Sequence, residues 1–206
     1  ILLGQLAPVL ILPLFYTIKR LEDDSLKDRF TSISAGTGLS IEGVYRMEMS
    51  AETVKANAML AGLGATRRVI LGDTLLDDFT EDEIAVVFAH EVGHHVYRHI
   101  RKMIATGVVF SVVSFFLCHW LIGVWVGNSQ WTAELPVYTL PMFMLIVTVF
   151  SQVLEPLQNG ISRFYERQSD RYALDRTGKK EAYRSAFTKL AKINKADPDP
   201  HPAEVF

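Results

Sequence analysis

The hydrophobic positions of this chain fall into three blocks, and the charged residues gather between them. Met103 to Val126 contains no Asp, Glu, Lys or Arg, and about 20 apolar residues suffice to cross a bilayer as a helix. A second uncharged stretch runs from Leu135 to Leu154, most apolar at Met142 to Phe150. One such stretch could be a buried core helix. Two in a short chain predict transmembrane helices over 103–126 and 135–157, joined by a loop at 127–134. The remaining block, Ile1 to Tyr16, is apolar apart from Gln5 and ends at Lys19 and Arg20, as the end of a truncated transmembrane helix would. The apolar start at Ile1 and the stop at Phe206 read as those of a fragment of one peptidase domain.

Between the blocks the periodicity changes. Leu21 to Phe30 has the spacing of a surface helix, and Ile41 to Met49 alternates as a half-buried strand does. Val69 to Leu71 is a second short strand, with Gly72-Asp73 as a turn. Thr80-Glu81-Asp82-Glu83 predicts an N-cap with a capping box, and Ile84, Val87, Phe88 and Val92 follow at helical spacing.

Charge fixes an expected orientation. The loop at 127–134 lacks Lys and Arg, whereas the opposite flanks carry Lys19, Arg20, Arg98, Arg101, Lys102, Arg163 and Arg167. The positive-inside rule puts the segments 17–102 and 158–206 on the cytoplasmic side. A net charge of −2 offers no basic surface for nucleic acid. The single cysteine, Cys118, excludes a disulfide framework and a cysteine-based metal site.

The chemistry sits in the polar segments. His90-Glu91-Val92-Gly93-His94 is an HExxH motif within the predicted helix. Histidines at i and i+4 share one face, so both imidazoles can ligate one metal ion. Glu91, between them, is placed to take a proton from a water at the metal and pass it to a leaving amine. Zinc suits such a site because it binds imidazole and carboxylate and has no redox chemistry. Gly93 costs about 1 kcal/mol in a helix interior relative to Ala, which points to close packing or a nearby substrate.

A catalytic zinc needs a third protein ligand. A histidine six residues past His94 would serve, but that position is Ile100. His95 and His99 read as surface or membrane-boundary residues, and His119 has no nearby partner in sequence. Glu166 and Asp170 share a helical face at i and i+4, so one could ligate while the other orients an imidazole. A solvated, charge-rich helix start explains them equally well, and Glu155 and Glu181 are competing acids.

In order along the chain, Pro13-Leu14-Phe15, Asn57-Ala58, the run from Thr66 to Leu76 (TRRVILGDTLL), His90 to His94 and Glu166 to Asp170 resemble a known family. It is that of integral-membrane gluzincin peptidases of the type I CAAX prenyl protease kind. HExxH alone marks a broad clan; the ordered set, with two spans before the ExxxD, is more specific. The resemblance implies that Glu166 is the third zinc ligand, that Asp170 supports a ligating imidazole, and that one Zn2+ is held per chain. It also implies that Asn57 and Ala58 lie on an edge strand beside the zinc, where an extended substrate peptide pairs; a turn is the other reading of Asn57. Such proteases have further spans upstream and a His-containing segment whose spacing falls past Phe206, so His201 receives no catalytic role.

The expected fold is therefore a mainly α membrane protein: a helical zincin-type catalytic domain with a small β-sheet and at least two transmembrane helices. The expected activity is zinc-dependent endopeptidase cleavage, with the lipid bilayer and prenylated C-terminal peptides as partners. An HtpX-like quality-control protease acting on membrane-embedded proteins is the nearest rival. A non-catalytic zinc-binding sensor or scaffold is a second, against which an intact Glu91 argues, since structural zinc needs no base.

Overall fold

The computed structural model describes residues 12–50, 53, 55, 57–61, 67–126 and 137–193. Most of the first apolar block, the loop at 127–134 and His201 lie outside the described residues. The described chain divides into two units, one reaching Arg98 and resuming at Tyr165, the other running from His99 to Phe164.

The first unit opens with a single helical turn, α1 (Leu12–Phe15), followed by β1 (Thr17–Arg20). Helix α2 (Asp24–Ser34) is capped by Asp23, whose side chain accepts from the Leu26 N–H. The sequence placed that helix from Leu21. The start is later because the Leu21 N–H is bound to the Val44 carbonyl, which keeps the chain extended to the cap. Three further strands follow: β2 (Ile41–Glu48), β3 (Ala58–Ala61) and β4 (Arg67–Gly72). The sheet order is β1-β2-β4-β3. β2 and β4 run parallel, and β3 pairs antiparallel with β4 as an edge strand. Gly72-Asp73 is not a free turn: Gly72 ends β4 and Asp73 begins α3 (Asp73–Asp78) directly.

Helix α4 (Glu81–Val96) is the centre of this unit. Its N-terminus carries the expected capping box, with the Thr80 side chain accepting from the Glu83 N–H and the Glu83 carboxylate accepting from the Thr80 N–H. Every residue from Glu83 to His90 is buried, so the helix is enclosed on all sides. Phe30 of α2 stacks on Phe88 at 4.1 Å between centroids, and Val44, Val69 and Leu71 close the sheet side of the same core. The unit is completed by the end of α6 (Thr139–Thr177) and by α7 (Lys180–Ile193), of which Ala173 and Ala186 are fully buried.

The second unit consists of α5 (His99–Val126) and the first part of α6. The two helices meet through Cys118, Ile122 and Ile146. Their most apolar windows reach mean hydropathies of 2.1 and 1.7 yet are only 11% and 6% buried. Val112, Phe115 and Phe116 of α5, and Met144, Leu145 and Val153 of α6, are all exposed. A soluble core helix buries such residues; a helix in lipid exposes them. The second span was expected to end near residue 157, but α6 continues through Pro156 for 39 residues in all. Proline removes one backbone donor and commonly ends a helix in water, which is why the sequence alone divides the element there.

Candidate active site

Three elements build the site. Helix α4 supplies His90, Glu91 and His94, the end of α6 supplies Glu166 and Asp170, and α7 closes one side. The helices α4 and α6 approach closely at Gly93: a Cβ there would lie 2.9 Å from the Ser169 Cα. The glycine is thus explained by close helix packing, and this contact brings the acids of α6 over the histidines.

The donor atoms converge. His90 Nε2 and His94 Nε2 are 3.1 Å apart. Glu166 places Oε2 3.2 Å from His90 Nε2 and Oε1 3.6 Å from His94 Nε2. A tetrahedral ion with bonds of about 2.0–2.1 Å holds its ligand atoms about 3.3 Å apart, so the spacing fits a single ion. The chemistry fits as well, since three lone-pair carriers facing one another are stabilised by a cation. Glu155 and Glu181 do not join this group.

His90 is oriented from behind. Its Nδ1 lies 2.9 Å from Asp170 Oδ1, so an N–H at Nδ1 leaves the Nε2 lone pair facing Glu166 and His94. Burial disfavours a charged His90, but the hydrogen bonds to Asp170 and Glu166, with the nearby Glu91 charge, override it and raise the pKa to about 9. The surroundings therefore favour positive charge at this point. Burial also raises the Glu91 pKa, opposed by His90 and His94 and reinforced by Glu166.

Helix α7 contributes residues that sequence reasoning did not single out. The Phe187 ring lies 5.3 Å from that of His90, and Tyr183 packs on Phe187 at 4.5 Å. Tyr183 lies near Asp170, and burial, followed by the interaction with that carboxylate, pushes its pKa up. The signal was present as helical spacing of Tyr183, Ala186, Phe187 and Leu190. Glu83 then ties α7 to α4, accepting from Ser185 Oγ at 2.5 Å and Lys189 Nζ at 2.8 Å. Burial opposes ionisation of Glu83, but the Lys189, Ser185 and Thr80 hydrogen bonds prevail and lower its pKa to about 2.

The other sequence candidates are placed as follows. Ala58 is the first residue of the edge strand β3, paired with Leu71, and the carbonyl of Asn57 accepts from the Gly72 N–H at 2.9 Å. His95 faces Arg67, with Nε2 2.7 Å from Nη1. His99, expected at a surface or boundary, is buried at the start of α5. His119 lies within α5.

An HExxH helix crossed by an ExxxD helix, in a chain with two long apolar helices, is the site pattern of membrane metallopeptidases, a class whose sites are built to hold a metal ion. The chain belongs to peptidase family M48, whose profile matches residues 20–205. It is similar to CAAX prenyl protease 1 of Saccharomyces cerevisiae, 31% identical over 84% of this chain and 42% of that protein. It is also similar to the uncharacterized metalloprotease YhfN of Bacillus subtilis, 28% identical over 94% of this chain and 46% of that one. The crystal structure of S. mikatae Ste24p superimposes with a TM-score of 0.73 at 29% identity, covering 98% of this chain and 50% of the other. The chain thus spans about half the length of the relatives it matches.

Proposed function

We propose that this chain carries the catalytic centre of a zinc endopeptidase, with one zinc ion held by His90, His94 and Glu166. The observation that carries the reading is the convergence of the three donor groups at 3.1–3.6 Å. Zinc at that point would polarise a scissile carbonyl and lower the pKa of a water. Glu91 removes the proton of the attacking water and returns it to the departing amine. Asp170 holds the His90 ring so that Nε2 stays available. The test is metal analysis of the purified chain in detergent: about one zinc per wild-type chain is expected, and none in His90→Ala/His94→Ala. Equal zinc in the two proteins would overturn the assignment.

The substrate is an extended peptide that adds to the edge strand β3 at Ala58 and at Asn57 just before it, supported by the one-sided pairing of that strand among the described residues. Replacing single substrate amides with esters removes one backbone donor at a time. A rise in KM at alternate positions is the expected result, and insensitivity at every position would remove β3 from recognition. The names of the relatives support prenylated C-terminal peptides rather than an HtpX-like range of damaged membrane proteins. A prenylated peptide should compete against its unprenylated twin, and equal turnover of the two would refute the preference.

The catalytic segments face the cytoplasm, a reading supported by the basic flanks of the spans. Cysteines introduced at Ser129 and Arg184 in a Cys118→Ser background should label from opposite sides of a sealed membrane. Labelling of both from one side would overturn the topology.

A further inference from the structure

The connection from β2 to β3 has an unusual task. Both β2 and β3 adjoin β4, on opposite sides. Met47 pairs with Gly72 and Ala58 with Leu71, so β2 ends and β3 begins at the same end of β4. The chain must therefore cross the end of β4 at Gly72. Space there is tight: a Cβ on Gly72 would lie 2.7 Å from Met49 Sδ and 3.3 Å from the Asn57 carbonyl oxygen.

Three consecutive residues hold both sides of this crossing. The Gly72 N–H donates to the Asn57 carbonyl at 2.9 Å. Thr74 Oγ1 donates to the Lys55 carbonyl, also at 2.9 Å. Asp73 Oδ1 accepts from the N–H groups of Met49, Ser50 and Thr74 at 3.1, 3.2 and 2.9 Å. Asp73 is buried, which by itself would raise its pKa, yet the Ser50 side chain and these backbone donors hold it at about 2. The carboxylate is thus ionised at any working pH, and hydrogen bonds to an ionised acceptor are stronger than neutral ones.

We propose that Gly72, Asp73 and Thr74 form a clamp that sets the register of the β3 edge, making Asp73 and Thr74 positioning residues for the substrate backbone. The proposal rests on the reading of β3 as the strand that the substrate joins. Asp73 and Thr74 act through the backbone of Met49, Ser50 and Lys55, and no hydrogen bond among the described residues joins them to His90, His94 or Glu166. A clamp loosened by one bond lets the strand entrance shift against β4. Because side chains alternate along a strand, even a one-residue slip would present the wrong face and the wrong backbone groups to a peptide.

The experiment uses the whole chain in detergent, loaded with zinc, as wild type, Thr74→Val and Asp73→Asn. Three quantities are read: zinc content, hydrogen exchange of the Ala58–Ala61 amides, and KM and kcat on a peptide substrate. Faster β3 exchange together with a KM raised about 5–10-fold, at unchanged zinc content and near-constant kcat, is the expected result. Where Asp73→Asn fails to fold, Thr74→Val alone carries the test, since it removes one hydroxyl. Wild-type exchange in β3 would overturn the clamp while leaving recognition at β3 intact, provided the ester substrates still discriminate. Faster exchange with a wild-type KM would overturn the link between register and binding. In that case ester substrates that no longer discriminate would locate the fault in the β3 reading itself.

Discussion

The two helices that supply the candidate ligands are held in opposite ways. Helix α4 is walled in by α2, the sheet and α7, and its His90 side chain is only 9% exposed. The end of α6 is open by comparison: Glu166 is 51% exposed and Asp170 33%. Core packing therefore places the histidines before any ion arrives. The acids are placed by one close backbone approach at Gly93 and by the hydrogen bond between His90 and Asp170. Rigidity resides on one side of the site and adjustability on the other. A metal centre assembled in this manner should respond differently to damage on its two halves.

The largest effect tests the chemistry of the enclosed half. Glu91→Gln is expected to retain about one zinc per chain and to lose roughly 10²–10⁴-fold in turnover, measured with a quenched-fluorescence peptide. Full activity would remove Glu91 from the mechanism. On the open half, Glu166→Ala should weaken zinc binding by more than the roughly 10–100-fold typical of a residue behind the ligands. Chelator competition measures this, and wild-type affinity would mean that another group completes the site. Asp170→Asn should fall within that 10–100-fold range, with the same assay as its check.

The contrast is sharpened at the contact between the halves. Gly93→Ala drives a methyl group into the Ser169 backbone, which overpacks the crossing at a cost of about 1–3 kcal/mol. Thermal unfolding should show the loss, and zinc affinity should fall with it because the acids of α6 move away. An unchanged Tm would mean that the helices separate without strain. The smallest change is Ser169→Ala. Among the described residues its buried hydroxyl oxygen has no hydrogen-bond partner, and such a group stabilises nothing by being there. Stability should stay level or rise by up to about 1 kcal/mol, and a clear drop in Tm would show a partner for that oxygen.

What could be read from the chain follows from how local each signal is. The capping box at Thr80, the histidine pair and the uncharged spans are encoded within a few turns of helix, and the structure carries each of them. Which acid faces the histidines was not legible by spacing: Glu166, alone among Glu155, Glu166 and Glu181 in having a second acid at i+4, reads with Asp170 equally well as a solvated helix start. The Gly93–Ser169 contact brings Glu166 beside the histidines. Helix α2 was placed three residues early because a sheet bond at Leu21 competes with local propensity. Helix α6 was cut short at Pro156 because proline is a breaker in water, while the ladder on either side of it is retained here. Tyr183 and Phe187 were passed over, since an aromatic pair at helical spacing looks like any core face until it lies against His90.

The distance along the chain between the two halves of the site has a consequence for biosynthesis. His90 and Asp170 touch across 80 residues of sequence, and both uncharged stretches, Met103–Val126 and Leu135–Leu154, are encoded between them. At about 5–20 residues per second, translation leaves the histidines waiting about 4–16 s for their acidic partners. During that interval the nascent chain holds two imidazoles and no Glu166, two of the three proposed donors. On the proposed ligand set, metal capture is complete only once the apolar stretch that precedes Glu166 has been synthesised, and a chain stalled between the two halves holds the histidines alone.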